Sequence, residues 1–160
     1  MVLDLPMAWV VSLNVLLWPA IQMLLAWVFT RLPVGWFNPP ASFPGESAAV
    51  YDDVFRVKRW KNMLPDGAEW IGGAFTKREM KTLDPEYLQR FIVETWRGEL
   101  CHYCAFLFVP VFFLWNPWWG NGVILAYAII ANLPCIIALR YNRIRLRQLL
   151  ARLQRMPSHQ

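Results

Sequence analysis

The stretch Leu100–Leu139, LCHYCAFLFVPVFFLWNPWWGNGVILAYAIIANLPCIIAL, holds no Asp, Glu, Lys or Arg over forty residues. Charge brackets it: ETWRGE (Glu94–Glu99) stands before it and RYNRIRLR (Arg140–Arg147) after it. One membrane crossing takes about 20 residues, so the stretch suits two crossings joined by a tight turn. Asn116-Pro117-Trp118-Trp119-Gly120-Asn121-Gly122 supplies the turn residues. Spans are therefore expected over 101–115 and 122–139.

A third apolar segment lies near the N-terminus, over 7–30. It has no basic flank before it and no A-x-A pattern after it, so it reads as a retained span rather than a cleaved signal. Pro19 should kink it. Asn14 and Gln22 should face protein, where helix–helix hydrogen bonds satisfy them.

The segment 31–100 is polar. Pro33, Pro39, Pro40 and Pro44 make its start irregular. A helix is expected from Ser47 to Trp60, then turns at Pro65-Asp66-Gly67 and Gly72-Gly73. Neither the spacing nor the Lys of a phosphate-binding loop accompanies those glycines. Asp84 as N-cap and Pro85 at the first helical position open another helix, expected to run unbroken to about Trp115. The last helix should start near Gly122 and continue into a basic amphipathic tail over 140–160. There Leu146, Leu149, Leu150 and Leu153 share one side, and Arg145, Arg152 and Arg155 the other. That tail should lie on the membrane surface or pack under the bundle.

Composition agrees. The chain has 160 residues, of which 57% are hydrophobic and 16% aromatic. Its length suits one domain, here a single membrane domain over 1–160. Charge is segregated: 1–30 holds only Asp4, 31–99 holds ten basic and ten acidic residues, and 140–155 holds six Arg and no acid. By the excess of Lys and Arg, 31–99 and the tail belong on the cytoplasmic side. The expected fold is thus all-α, a polytopic integral membrane protein with three transmembrane helices and cytoplasmic amphipathic helices. It would sit in the cell membrane as a multi-pass protein, N-terminus outside and C-terminus inside. The +5 net charge does not indicate nucleic acid, because the Arg-rich tail continues directly from an apolar helix and suits anionic headgroups. Cys101-His102-Tyr103-Cys104 formally matches CxxC, but no second pair completes a metal site. No metal is expected.

His102 stands at the edge of the apolar run. Glu99 precedes it by three residues, about 60° around a helix, and Glu94 lies two turns below. Either carboxylate could hold the imidazole in one tautomer, and a neutral His in a low-dielectric site can act as a general base. An interfacial His satisfied by backbone or headgroup is the competing reading. Arg140, Arg143 and Arg147 share one face where the last span ends, with Tyr141 and Asn142 beside them. That face suits phosphate, or simple anchoring of the helix end. Lys58, Arg59 and Lys61 around Trp60 form a second basic patch open to the same two readings.

These residues resemble a known family. KRWK (Lys58–Lys61), LPDG (Leu64–Gly67), ETWRGELCHY (Glu94–Tyr103), WNP (Trp115–Pro117) and ANLPCIIALRYNRIRL (Ala131–Leu146) are similar, in that order, to the glycosyl-4,4'-diaponeurosporenoate acyltransferases. The resemblance runs from Lys58 to the C-terminus. It implies an acyltransferase that moves a fatty acyl group onto a sugar hydroxyl of a carotenoid glycoside, the last step in making staphyloxanthin. No established catalytic residues come with it. On that implication His102 would deprotonate the acceptor hydroxyl, with Glu99 or Glu94 orienting it. Arg97, Arg140, Asn142, Arg143, Arg145, Lys58, Arg59, Trp60 and Lys61 would bind substrate. The donor would be acyl-CoA or an acyl-carrier thioester, with no further cofactor. Partners would be membrane lipids, the donor and a lipid-linked or carotenoid glycoside. The alternative is a non-catalytic membrane subunit that binds anionic lipid and scaffolds a lipid or carotenoid biosynthetic complex.

Overall fold

A computed structural model of the chain describes residues 2–64 and 84–155. The turns expected at Pro65-Asp66-Gly67 and Gly72-Gly73 lie outside these residues, as does the end of the tail. The described residues are helical and contain no strand. Three long helices set the architecture: α1 (Met7–Arg31), α4 (Pro85–Phe106) and α6 (Trp118–Arg155). Between them lie short helices α2 (Ala48–Phe55), α3 (Val57–Trp60) and α5 (Val109–Phe112).

Local chemistry accounts for most boundaries. Asp84 accepts from the Tyr87 N–H at 3.0 Å, with Pro85 opening α4, so the expected cap is present. Ser47 caps α2 by accepting from the Val50 N–H. The single helix expected over Ser47–Trp60 is instead two. Arg56 adopts φ 50° and ψ 41° between them, a left-handed conformation that costs a non-Gly residue energy and stops the helix.

The helix expected to run from Pro85 to Trp115 also breaks. α4 ends at Phe106, and the Leu107 and Phe108 N–H groups turn back to Cys104 O and Ala105 O. Pro110 is the cause. It has no N–H to give Phe106, and its ring crowds that carbonyl. α6, by contrast, starts four residues before Gly122, at Trp118. Gly120 permits this early start. A Cβ there would stand 3.1 Å from Asn116 Oδ1 and 3.2 Å from Pro117 Cδ.

Among the described residues, two helices are long and apolar enough to cross a membrane: α1, with a mean hydropathy of 1.7 over its most apolar 18 residues, and α6, with 2.3. Only 11% of that part of α1 is buried. Trp9, Val15, Leu16 and Leu24 on α1 and Val123 and Ile130 on α6 are exposed. The segment 101–115 is not one continuous helix, so among the described residues two rather than three helices meet the length requirement.

The buried core has two centres. One joins Val10 and Trp18 of α1 to Val109, Phe112 and Trp115, and to Ile124 and Ala128 of α6. The other joins Leu88, Phe91 and Ile92 of α4 to Leu146, with Leu149, Leu150 and Leu153 packed against it. The leucine side of the tail therefore packs under the bundle against α4. At the opposite end the N-terminus is pinned to the turn, with the Val2 and Leu3 N–H groups both donating to Leu114 O.

Candidate active site

Glu99 is fully buried on α4. A buried carboxylate must be compensated in charge and hydrogen bonds, and two arginines of α6 do so. Arg140 approaches Oε1 with Nε at 3.0 Å and Nη2 at 2.8 Å. Arg143 donates from Nη1 to Oε2. The Tyr103 hydroxyl donates to Oε1 at 3.1 Å and accepts from Arg140 Nη2 at 3.2 Å. Arg143 stacks over the Trp96 ring at 5.0 Å. Glu46 extends the network: its Oε1 lies 3.9 Å from Arg140 Nε and accepts from the Tyr51 hydroxyl at 3.1 Å.

Glu94 is taken by Arg97, 3.1 Å away. Arg97 also donates to Leu32 O at 3.3 Å and lies over the Phe37 ring. Burial pushes the Glu94 carboxyl above its ordinary value, against the pull of Arg97 and Arg90.

His102 is half-buried one turn further along α4. The structure pairs its Nδ1 with Asn132 Oδ1 of α6 at 2.9 Å. Asn132 is fully buried, donates from Nδ2 to Ala128 O at 2.9 Å, and receives Gln22 Nε2 of α1 at 3.3 Å. Three helices thus meet in one polar cluster. Asn14 makes a second one, exchanging hydrogen bonds with Asn116 at 2.8 and 2.9 Å and receiving Trp115 Nε1. The expected interhelical role of Gln22 is therefore present, whereas Asn14 faces protein as expected but bonds to the turn between α5 and α6 rather than to a helix.

The basic residues divide. Lys58 is exposed and pairs with Asp52 at 2.6 Å, which holds that carboxyl below its ordinary value. Lys61 donates to Asn142 Oδ1 at 3.1 Å and lies over the Tyr141 ring. Burial, with Arg145 nearby, lowers its pKa. Trp60 donates to Phe55 O. Arg59 and Arg145 are exposed. Arg147 leaves the arginine face to bind Pro39 O, Pro40 O and Ser42 Oγ. It borders a cavity of about 300 Å³ with Asn38, Gln89, Ile92 and Gln154. Along α4, Ile92 and Gln89 stand 10 and 13 residues from His102, about 15–20 Å at 1.5 Å per residue. Among the described residues no three His, Cys, Asp or Glu side chains converge as a metal site.

The family model described as glycosyl-4,4'-diaponeurosporenoate acyltransferase matches residues 26–152. The chain belongs to this family. Relatives of that name from Staphylococcus aureus strains USA300 and NCTC 8325 / PS 47 are 34% identical over 143 residues, covering 86% of each chain. The protein of strain MRSA252 is equally similar. No solved structure matches. As a member of this acyltransferase family, the chain is an enzyme of acyl transfer.

The region shared with the acyltransferase family includes Glu94, Glu99, His102, Asn132, Arg140 and Arg143, but Gln22 precedes it. Two sequence expectations change within it. Neither Glu99 nor Glu94 is the partner seen at His102 Nδ1, because arginines claim both carboxylates. Arg140 and Arg143 do not form an open phosphate face, because buried Glu99 draws them inward. Sequence reasoning missed Asn132 and Tyr103. Asn132 had a signal: it is the one amide between Gly122 and Leu139, as anomalous there as Gln22 is in α1.

Proposed function

We propose that this acyltransferase esterifies a sugar hydroxyl of a membrane-held glycosylated carotenoid with a fatty acyl group from a thioester. His102 accepts the hydroxyl proton. The oxygen attacks the thioester carbonyl, the ester bond forms and the carbon–sulfur bond breaks. The thiolate leaves and takes up the proton. Acyl-CoA or an acyl-carrier protein supplies the thioester, and no other cofactor takes part. One observation carries the reading: within the region shared with the family, half-buried His102 lies where a charge-free bundle meets a polar layer. That boundary suits an acceptor whose polyene stays in lipid while its sugar reaches polar groups.

The chain crosses the membrane three times in this reading. α1 and α6 are two crossings. The end of α4, the break at Leu107–Phe108 and α5 together make the third. Irregular backbone at membrane depth is tolerated where it is packed in protein, and Val109 and Phe112 are buried. The excess of Lys and Arg assigns the polar layer to the cytoplasm. Exposed Lys58, Arg59 and Arg145 then meet the phosphates of the donor there, while Arg140, Arg143 and Arg97 hold the bundle together. Asn142, Trp60 and Lys61 border the same surface.

The test uses the protein in lipid vesicles with a glycosylated carotenoid and either palmitoyl-CoA or a palmitoyl-carrier protein. Ester formation from one of the two donors is expected. No ester from either would overturn the proposal.

A further inference from the structure

The Asn132 amide has a fixed orientation. Its Nδ2 faces Ala128 O at 2.9 Å, a carbonyl that can only accept. A flipped amide would set two oxygens against each other. Oδ1 is therefore the atom offered to His102 Nδ1 at 2.9 Å. An amide oxygen has no proton to give, so the hydrogen must sit on Nδ1. In the neutral ring the lone pair is then on Nε2. Gln22 Nε2 reaches the same oxygen at 3.3 Å, so the acceptor is held from α1 as well as from its own helix. Asn132 is fully buried, where an unpaired amide would be costly.

We infer that Asn132, braced by Gln22, is the positioning residue of the acyl transfer. It holds His102 as the Nδ1–H tautomer and so makes Nε2 the atom that takes the acceptor's proton. The inference rests on the reading of His102 as the base. It assigns to a buried amide the task that a carboxylate performs in many hydrolases. An amide adds no charge to an apolar site, and it leaves Glu99 free to neutralise Arg140 and Arg143.

Two readouts test it. The chain has two histidines, so a His159→Gln background leaves one imidazole for nitrogen NMR on ring-labelled protein. Nδ1 is expected to show a bonded proton and Nε2 the shift of an unprotonated nitrogen. Asn132→Leu should move the proton toward Nε2. It should also lower kcat at least about 10-fold and at most about 10⁴-fold, the loss seen when the orienting carboxylate of a hydrolase triad is neutralised, with KM for the acyl thioester little changed. Asn132→Asp keeps an oxygen opposite Nδ1 and should recover part of kcat, which a packing defect would not allow. If Asn132→Leu does not fold, the tautomer of the parent protein and the kcat of Gln22→Leu decide. An Nε2–H tautomer in the parent protein overturns the inference, and so does normal kcat in Asn132→Leu. Where either of those results is obtained and His102→Gln is inactive in the same assay, only the positioning role falls and the base stands. If His102→Gln turns over normally, the base itself falls.

Discussion

At the scale of single residues, two carboxylates on one helix have different consequences. Glu99 is fully buried and holds Arg143, which is 4% exposed. Removing one partner of a buried pair leaves the other charge uncompensated, at roughly 3–5 kcal/mol. Glu99→Gln should therefore lower the denaturation midpoint sharply in a detergent-solubilised unfolding titration. A variant as stable as the parent would contradict this reading of the network. Glu94 acts through pH. Its folded-state pKa is raised from 4.5 by burial, so the folded protein binds the proton more tightly than the unfolded chain. Its contribution is then most favourable below 4.5 and is lost as pH rises through the raised value. Glu94→Gln should flatten the stability profile in that interval, and an unchanged slope would count against it. The site was legible in part. His102 stood out as a titratable group at the edge of a charge-free run. Its partner was not legible, because i,i+3 spacing permits a Glu99–His102 contact without ranking it against arginines from another helix. The buried charge decides: a carboxylate in an apolar bundle is better compensated by two guanidiniums than by a neutral ring.

At the scale of elements, α4 and α6 meet at Gly98. A Cβ there would stand 3.2 Å from Leu139 Cδ1. Gly98→Leu should overpack this contact and cost about 1–3 kcal/mol, lowering the thermal midpoint of the purified protein. Unchanged stability would mean that the two helices adjust freely. This seam carries both the Glu99 pairs and the His102–Asn132 bond, so the variant should lose activity as well. The sequence signalled the long helices because their apolar runs are uninterrupted and Asp84-Pro85 marks a start. It was less informative about stops. Pro19 lies within α1 without ending it, whereas Pro110 ends a helix. The difference is tertiary: Val109 and Phe112 pack into the core only after the chain turns. The Arg56 break is likewise hidden, since nothing in Arg itself favours a left-handed backbone.

At the scale of the whole molecule, only 11% of the most apolar part of α1 is buried, which is compatible with the proposed place in a membrane. In the proposed topology, the excess of Lys and Arg sets the direction. A cysteine placed at Asn121 should react with an impermeant maleimide from outside the cell, and one placed at Arg59 should not. Labelling at Arg59 would reverse the topology and put the polar layer on the other face. The central claim is that this chain acylates a glycosylated carotenoid through His102. The most direct measurement is mass spectrometry of pigments from cells that make the unacylated glycoside. Expression of the chain should add the mass of a fatty acyl ester, and His102→Gln, present at equal level, should reduce that product about 10²–10⁴-fold. Acylated pigment at normal level with His102→Gln, or none with the unaltered chain, would contradict the account.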